Sequence, residues 1–245
     1  MDGDRILMQM MFAKVFVVQM INMQGYDVLF QDVDITWYRH PLEVFHDESH
    51  SFSEFDIIFQ DDGAHSNRYA PYSANSGFYY VRHNDKTRYL FVSLLYSGEM
   101  IFKTKSHQET LITLLAEYQS LFGLRVKVIS LDDPDFPGGW HYHRRKDFMR
   151  QIAKEEIVPT IFHMSWTQNK KNKLLFMKQM GMWYLKDQCI DKPLSEISPD
   201  ENGVISFVET CCSKEPIVSC HYRDKPSIIP CNDSPNIDKG RPSFW

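Results

Sequence analysis

The segment Gly25-Tyr26-Asp27-Val28-Leu29-Phe30-Gln31-Asp32-Val33-Asp34 constrains the fold of this chain more than any other. Residues 5–24 before it form a long, mostly apolar run and predict a helix. Gly25 then stands where a helix C-terminal cap belongs, a position that favours the left-handed backbone glycine adopts without strain. Tyr26 to Phe30 is apolar and bounded by glycine and acids, the pattern of a buried strand. Helix, glycine and apolar strand in succession are the αβ half of a βαβ unit and point to an α/β class. Asp32 and Asp34 follow the carboxyl end of that strand, where open α/β sheets bind their ligands.

The rest of the chain continues the pattern. Strands are expected at Asp56 to Phe59, Gly77 to Val81, Val126 to Leu131 and Thr160 to His163. Helices are expected at Thr87 to Tyr96, Gln108 to Phe122, and Asn172 to Gly181. This alternation predicts a mixed, mostly parallel sheet flanked by helices. The apolar stretch Ile6 to Met23 is long enough to consider as a membrane or signal segment. Lys14 lies in its middle, where a charge costs about 2.5–3.5 kcal/mol in a bilayer, and no small-residue cleavage site follows. A core helix is therefore the favoured reading.

Composition enters at two points. The net charge of −5 excludes a binder of polyanions driven by bulk charge, so no nucleic-acid partner is expected; a local basic pocket for phosphate remains open. All five cysteines fall late, at Cys189, Cys211, Cys212, Cys220 and Cys231, among seven of the twelve prolines. A boundary near Asp187 follows, with residues 1–187 as the main domain and 188–245 as a loop-rich appendage. Clustered cysteines in such a segment suggest disulfides made in an oxidising compartment, with one thiol left over. Asn232-Asp233-Ser234 is a glycosylation sequon, weakened by Pro235.

Two carboxylates one residue apart at a strand-to-loop transition can converge on a divalent ion. Mn²⁺ or Mg²⁺ takes oxygen ligands and commonly bridges phosphates. A solvated acidic turn is the plain alternative. Asp61 and Asp62 end a second strand and could line the same site. Trp37 and Trp140 could stack on a flat ligand face, although burial is the commoner fate of tryptophan. Gly138-Gly139 suggests a mobile loop, and Trp140-His141-Tyr142-His143, if extended, would put two histidines on one face.

The segment from Gly25 through Trp37-Tyr38-Arg39-His40-Pro41 resembles the signature of the nucleotide-diphospho-sugar transferases, with glycosyltransferase family 77 nearest. Asn75-Ser76-Gly77-Phe78-Tyr79-Tyr80-Val81-Arg82 resembles the family's Asn-x-Gly-Phe strand. Pro159 to Leu185, with His163, Trp166, Lys173, Gly181, Trp183 and Tyr184, resembles its closing pattern. The resemblance implies a GT-A fold and metal-dependent transfer of a sugar from a nucleotide-diphospho-sugar donor to a carbohydrate or glycoprotein acceptor. It implies Asp32, Asp34 and His163 as ligands of Mn²⁺ (or Mg²⁺) and Lys173 as a contact to the diphosphate. Asn75 and Gly77 would shape the sugar pocket, and Gln108 and Asn75 are the candidates for a catalytic role. The family's usual home is the Golgi lumen of the secretory pathway. Its membrane anchor would lie outside this sequence.

The chain departs from the family pattern twice. Members place an acid before the glutamine of the later helix, where this chain has His107 before Gln108. Members also carry a strand–helix region ahead of the metal strand, where only one helix is expected here, so the GT-A domain is expected to lack its N-terminal part. Two other functions compete. Asp32-Val33-Asp34-Ile35-Thr36 is also a literal D-x-D-x-T, as in haloacid-dehalogenase-type phosphohydrolases, with Asp32 as nucleophile. A truncated, inactive relative acting as a binding protein is the third reading.

Overall fold

The computed structural model describes residues 2–40, 42–167, 170–193, 196–197 and 207–218, with side chains from residue 6 onward. In chain order the elements are α1 (Asp2–Met23), β1 (Val28–Gln31), β2 (Ile35–Trp37), α2 (Leu42–His46), β3 (Ile57–Asp61), β4 (Ala74–Val81), α3 (Asp85–Tyr96), α4 (Gly98–Thr104), α5 (His107–Phe122), β5 (Val126–Ile129), α6 (Gly139–Arg144), α7 (Lys146–Ala153), β6 (Ile161–His163), α8 (Lys170–Gln179) and α9 (Phe207–Cys211). One compact unit is Met1–Trp140 with Pro159–Ser165; the second takes His141–Val158 and the chain from Trp166.

The first unit is α/β and carries a mixed sheet in the order β1-β4-β3-β5. The expectation of mostly parallel pairing is corrected here: β4 runs antiparallel to both β1 and β3, and the parallel pair is β3 with β5. The connections explain this. Parallel neighbours need a crossover, usually helical. The helices α3, α4 and α5 supply one between the two halves of the sheet, whereas β3 returns to β4 through a 3-10 turn at Asn67–Tyr69. Beside the sheet, β2 and β6 form a two-stranded antiparallel ribbon with Ile35 opposite His163.

Side-chain alternation divides the core in two. Ile57, Phe59, Tyr79 and Val81 pack against Val15 and Val18 of α1, Leu90, Phe91 and Leu94 of α3, and Leu111, Ile112 and Leu115 of α5. Ile58, Phe78 and Tyr80 point the other way, onto Phe45, Phe52, Phe136 and Ile161. With both faces covered, β4 is buried at every residue. Burying an aliphatic or aromatic side chain fully contributes about 1.5–3 kcal/mol, so this strand is the mechanical centre of the unit.

In α1, Met8, Val15 and Val18 face the core, whereas Ile6, Met10, Phe16, Val17 and Met20 are exposed. By length and composition the stretch Ile6–Met23 could also cross a membrane. Gly25 has φ +93° just beyond the helix, in the capping position its sequence context predicts. The Trp140–His143 segment is not extended: it lies in α6, whose geometry does not put positions 141 and 143 on one face. Nor is Gly138-Gly139 an open loop, since Gly138 bridges to His163 and the Gly139 N–H donates to Ser165 Oγ at 3.1 Å.

The second unit contains α7, α8 and α9. Cys189 and Cys211 form a disulfide that packs with Ile197 and Leu185, and Cys212 is a free thiol. Cys220, Cys231 and the sequon at Asn232 lie outside the described residues.

Candidate metal centre

Backbone pairing builds the site. The antiparallel register of β1 on β4 places Gln31 opposite Phe78, and the next residue, Asp32, donates its N–H to the Gly77 carbonyl at 2.7 Å. The β2–β6 ribbon brings His163 opposite Ile35, and the Asp34 carbonyl accepts the Met164 N–H at 2.9 Å. Asp32, Asp34 and His163 thus converge, with one ligand atom from each lying within 4.8 Å of the others. His163 Nε2 is 3.5 Å from Asp34 Oδ1, and their side chains are only 3% and 13% exposed.

The tautomer of His163 is set from behind. Gln60 Nε2 donates to the Phe136 and Pro137 carbonyls at 2.8 and 2.9 Å, which fixes the direction of its amide. Its Oε1 then accepts from His163 Nδ1 at 2.7 Å. With the proton on Nδ1, the Nε2 lone pair faces the carboxylates. Three lone-pair groups converging in this way suit a divalent cation bound at about 2.0–2.6 Å.

Gly77 makes the space. A Cβ there would lie 2.7 Å from His163 Cε1, 2.9 Å from Asp32 Oδ2 and 3.0 Å from Asn75 Oδ1. A side chain there would crowd two of the three groups that converge. Asn75 anchors the strand beside it: its Oδ1 accepts the Gly77 N–H at 2.7 Å, and its Nδ2 donates to Asp62 Oδ1 at 2.8 Å. Gln108, in the first turn of α5, accepts from both the N–H and the hydroxyl of Ser76 at 3.0 Å. Lys173 is carried by α8, in the second compact unit. Trp37 packs edge-on to Phe78 with ring centroids 6.0 Å apart, and Asp61 is engaged by the Gly63 N–H and the Ser73 hydroxyl.

Three further residues stand at this end of the sheet, of which His107 is the position where the chain departs from the family's acid-before-glutamine pattern. Lys14 Nζ lies 2.5 Å from Asp32 Oδ1. Gln60 is a polar side chain in β3, beside Asp61, and is 2% exposed. His107 is buried with Nδ1 lacking a hydrogen-bond partner. Burial, with help from the Lys14 charge and against that of Asp32, pulls its imidazole down to about 4, so it is neutral at pH 7. The available signal is the lone lysine in an apolar helix; Gln60 falls just past the expected strand Asp56 to Phe59, at the head of the polar run Gln60-Asp61-Asp62.

Fold and site together define an α/β protein with a carboxylate–imidazole centre suited to a divalent ion at the strand ends of its sheet. The chain belongs to the nucleotide-diphospho-sugar transferase family, whose family model matches residues 2–177. It is 25% identical over 209 residues to a UDP-galactose:fucoside alpha-3-galactosyltransferase of Dictyostelium discoideum, a match covering 78% of this chain and 30% of that protein. It is 21% identical over 189 residues to UDP-D-xylose:L-fucose alpha-1,3-D-xylosyltransferase 3 of Arabidopsis thaliana, covering 71% of this chain and 46% of that protein. The match therefore spans less than half the length of either relative. No solved structure matches the chain significantly. The phosphohydrolase reading of Asp32 is not retained, because the transferase family match covers that motif.

Proposed function

We propose that the chain is a metal-dependent glycosyltransferase that moves a sugar from a nucleotide diphosphate to a glycan or glycoprotein. The observation that carries this reading is the convergence of Asp32, Asp34 and His163 within 4.8 Å. In this reading those three residues hold Mn²⁺ or Mg²⁺, which when bound supplies positive charge against the diphosphate that departs as the glycosidic bond breaks. Lys173, on α8 of the second unit, is the basic residue that the family resemblance offers for a phosphate contact, as a point charge. Asn75, fixed through Asp62, and the bare backbone at Gly77 border the sugar, and Gln108 holds the N-terminus of α5 against β4. Residues 1–187 would carry the chemistry, and 188–245 would be an appendage closed by the Cys189–Cys211 disulfide. That disulfide also supports residence in an oxidising lumen such as the Golgi.

The names of the two relatives guide the choice of substrates. A UDP-linked galactose or xylose is the first donor to try, with a fucose-bearing acceptor. The test is UDP release with Mn²⁺ and each donor. Asp32→Asn and Asp34→Asn should each lower turnover by about 10²–10³-fold, the scale of losing one charge-stabilising group. Near-normal turnover in both variants would overturn the metal assignment.

A further inference from the structure

Lys14 brings a positive charge from α1 to the Asp32 carboxylate. Its Nζ is 2.5 Å from Asp32 Oδ1, and it lies over the Phe30 ring at 5.9 Å from the centroid. Both side chains of the pair are 27% exposed, so the contact is partly shielded but open to exchange. The backbone beneath Lys14 is held, because Val15 and Val18 of the same helix are buried in the core. Movement is thus confined to a flexible four-carbon stem that ends in a compact ammonium. A divalent ion bound by Asp32 would meet that ammonium across the same carboxylate, and two cations at contact distance repel. Among the described residues, Asp34 lies 3.5 Å from His163 Nε2 and Glu109 is paired with Arg68 at 2.6 Å.

We propose that Lys14 is an exchangeable counter-ion: it neutralises Asp32 while no divalent ion is bound, and passes its ammonium to the donor's diphosphate when one is. This rests on the reading of the triad as a metal centre. It gives Lys14 two opposed effects. It competes with the metal in the chain alone and attracts the anionic donor in the loaded site. A fixed charge beside Asp32 would also repel the metal, so displacement of the ammonium itself on metal binding is what separates exchange from a static pair.

The test measures Mn²⁺ binding to the chain by electron paramagnetic resonance of the free ion, then UDP binding at saturating Mn²⁺ by calorimetry. Lys14→Met and Lys14→Gln should each tighten Mn²⁺ binding by about two- to fivefold, the scale of one partly exposed ion pair. Both should weaken UDP binding by a similar factor, and Lys14→Arg should restore wild-type behaviour in both assays. Mn²⁺ binding that is unchanged or weaker in the two neutral variants would overturn the exchange. Tighter Mn²⁺ with unchanged UDP binding would overturn the transfer to the diphosphate. A wild-type chain that binds no Mn²⁺ would overturn the metal centre itself and Lys14 exchange with it. In wild-type protein labelled with ¹⁵N-lysine, adding Mg²⁺ should shift the Lys14 ammonium resonance; a resonance that stays put through saturation would also overturn the exchange, with no substitution involved.

Discussion

Gln60 holds His163 by its Nδ1, at 2.7 Å from Oε1, while its own amide nitrogen is tied to two backbone carbonyls. The side chain has no rotational choice left, so the imidazole has none either. Outer groups that orient a ligating histidine typically account for 10–100-fold in metal affinity. Gln60→Leu should therefore weaken Mn²⁺ binding by about that factor. It also takes the Gln60 donor from the Phe136 carbonyl, while the Pro137 carbonyl keeps the His163 N–H at 3.1 Å, and an unsatisfied buried acceptor costs about 1–3 kcal/mol of stability. Metal titration and urea unfolding of the same variant separate the two effects. Unaltered Mn²⁺ affinity would show that Gln60 is a core residue only.

The depth to which this site could be read from the sequence follows from how its parts are joined. Asp32 and Asp34 are adjacent in a motif that begins with its own helix cap and strand, so local pattern suffices. His163 was reachable through its family resemblance. Gln60 was not, because its partner lies 103 positions away and only closure of the sheet brings them together. Lys14 read as an interruption of an apolar helix because periodicity registers where a charge is costly, not which carboxylate it meets. The fold shows the same limit. β4 was expected from Gly77 but begins at Ala74, since Asn75 and Ser76 are polar residues buried for the site rather than for the core. α7 is not expected because its eight residues make only about two turns, too few for periodicity to stand out, although Met149, Ile152 and Ala153 form a buried face at helical spacing. Three-residue β2 is too short to carry an alternation signal.

Gly77→Ala tests the space directly. The new methyl would stand 2.7 Å from His163 Cε1 and 2.9 Å from Asp32 Oδ2, closer than carbon and oxygen atoms pack. Overpacking of this kind costs about 1–3 kcal/mol, and here the yielding groups are the proposed ligands. The variant should fold, with a lower melting temperature, and should lose measurable Mn²⁺ binding. A variant that binds Mn²⁺ as the wild type does would place the ion elsewhere.

His107 supplies a prediction about pH. Burial is the main cause that lowers its imidazole from 6.5 to about 4 in the folded chain. Between those two values the unfolded chain holds a proton that the folded chain refuses. Stability therefore rises with pH across that window and falls as the solution is acidified. For a group this deeply buried the loss between pH 7 and pH 5 is about 2 kcal/mol, before carboxylates add their own share. His107→Leu removes the titrating group together with the buried Nδ1 that has no partner. Its unfolding free energy should change less between pH 7 and pH 5 than that of the wild type, by about 2 kcal/mol, and the two curves should diverge most at the acid end. The comparison needs only urea unfolding of both chains at each pH, since the carboxylate contribution is common to both and cancels in the difference. Parallel curves would mean that His107 titrates in the fold as it does in water, and that it is not the neutral neighbour of Lys14 that the buried geometry requires.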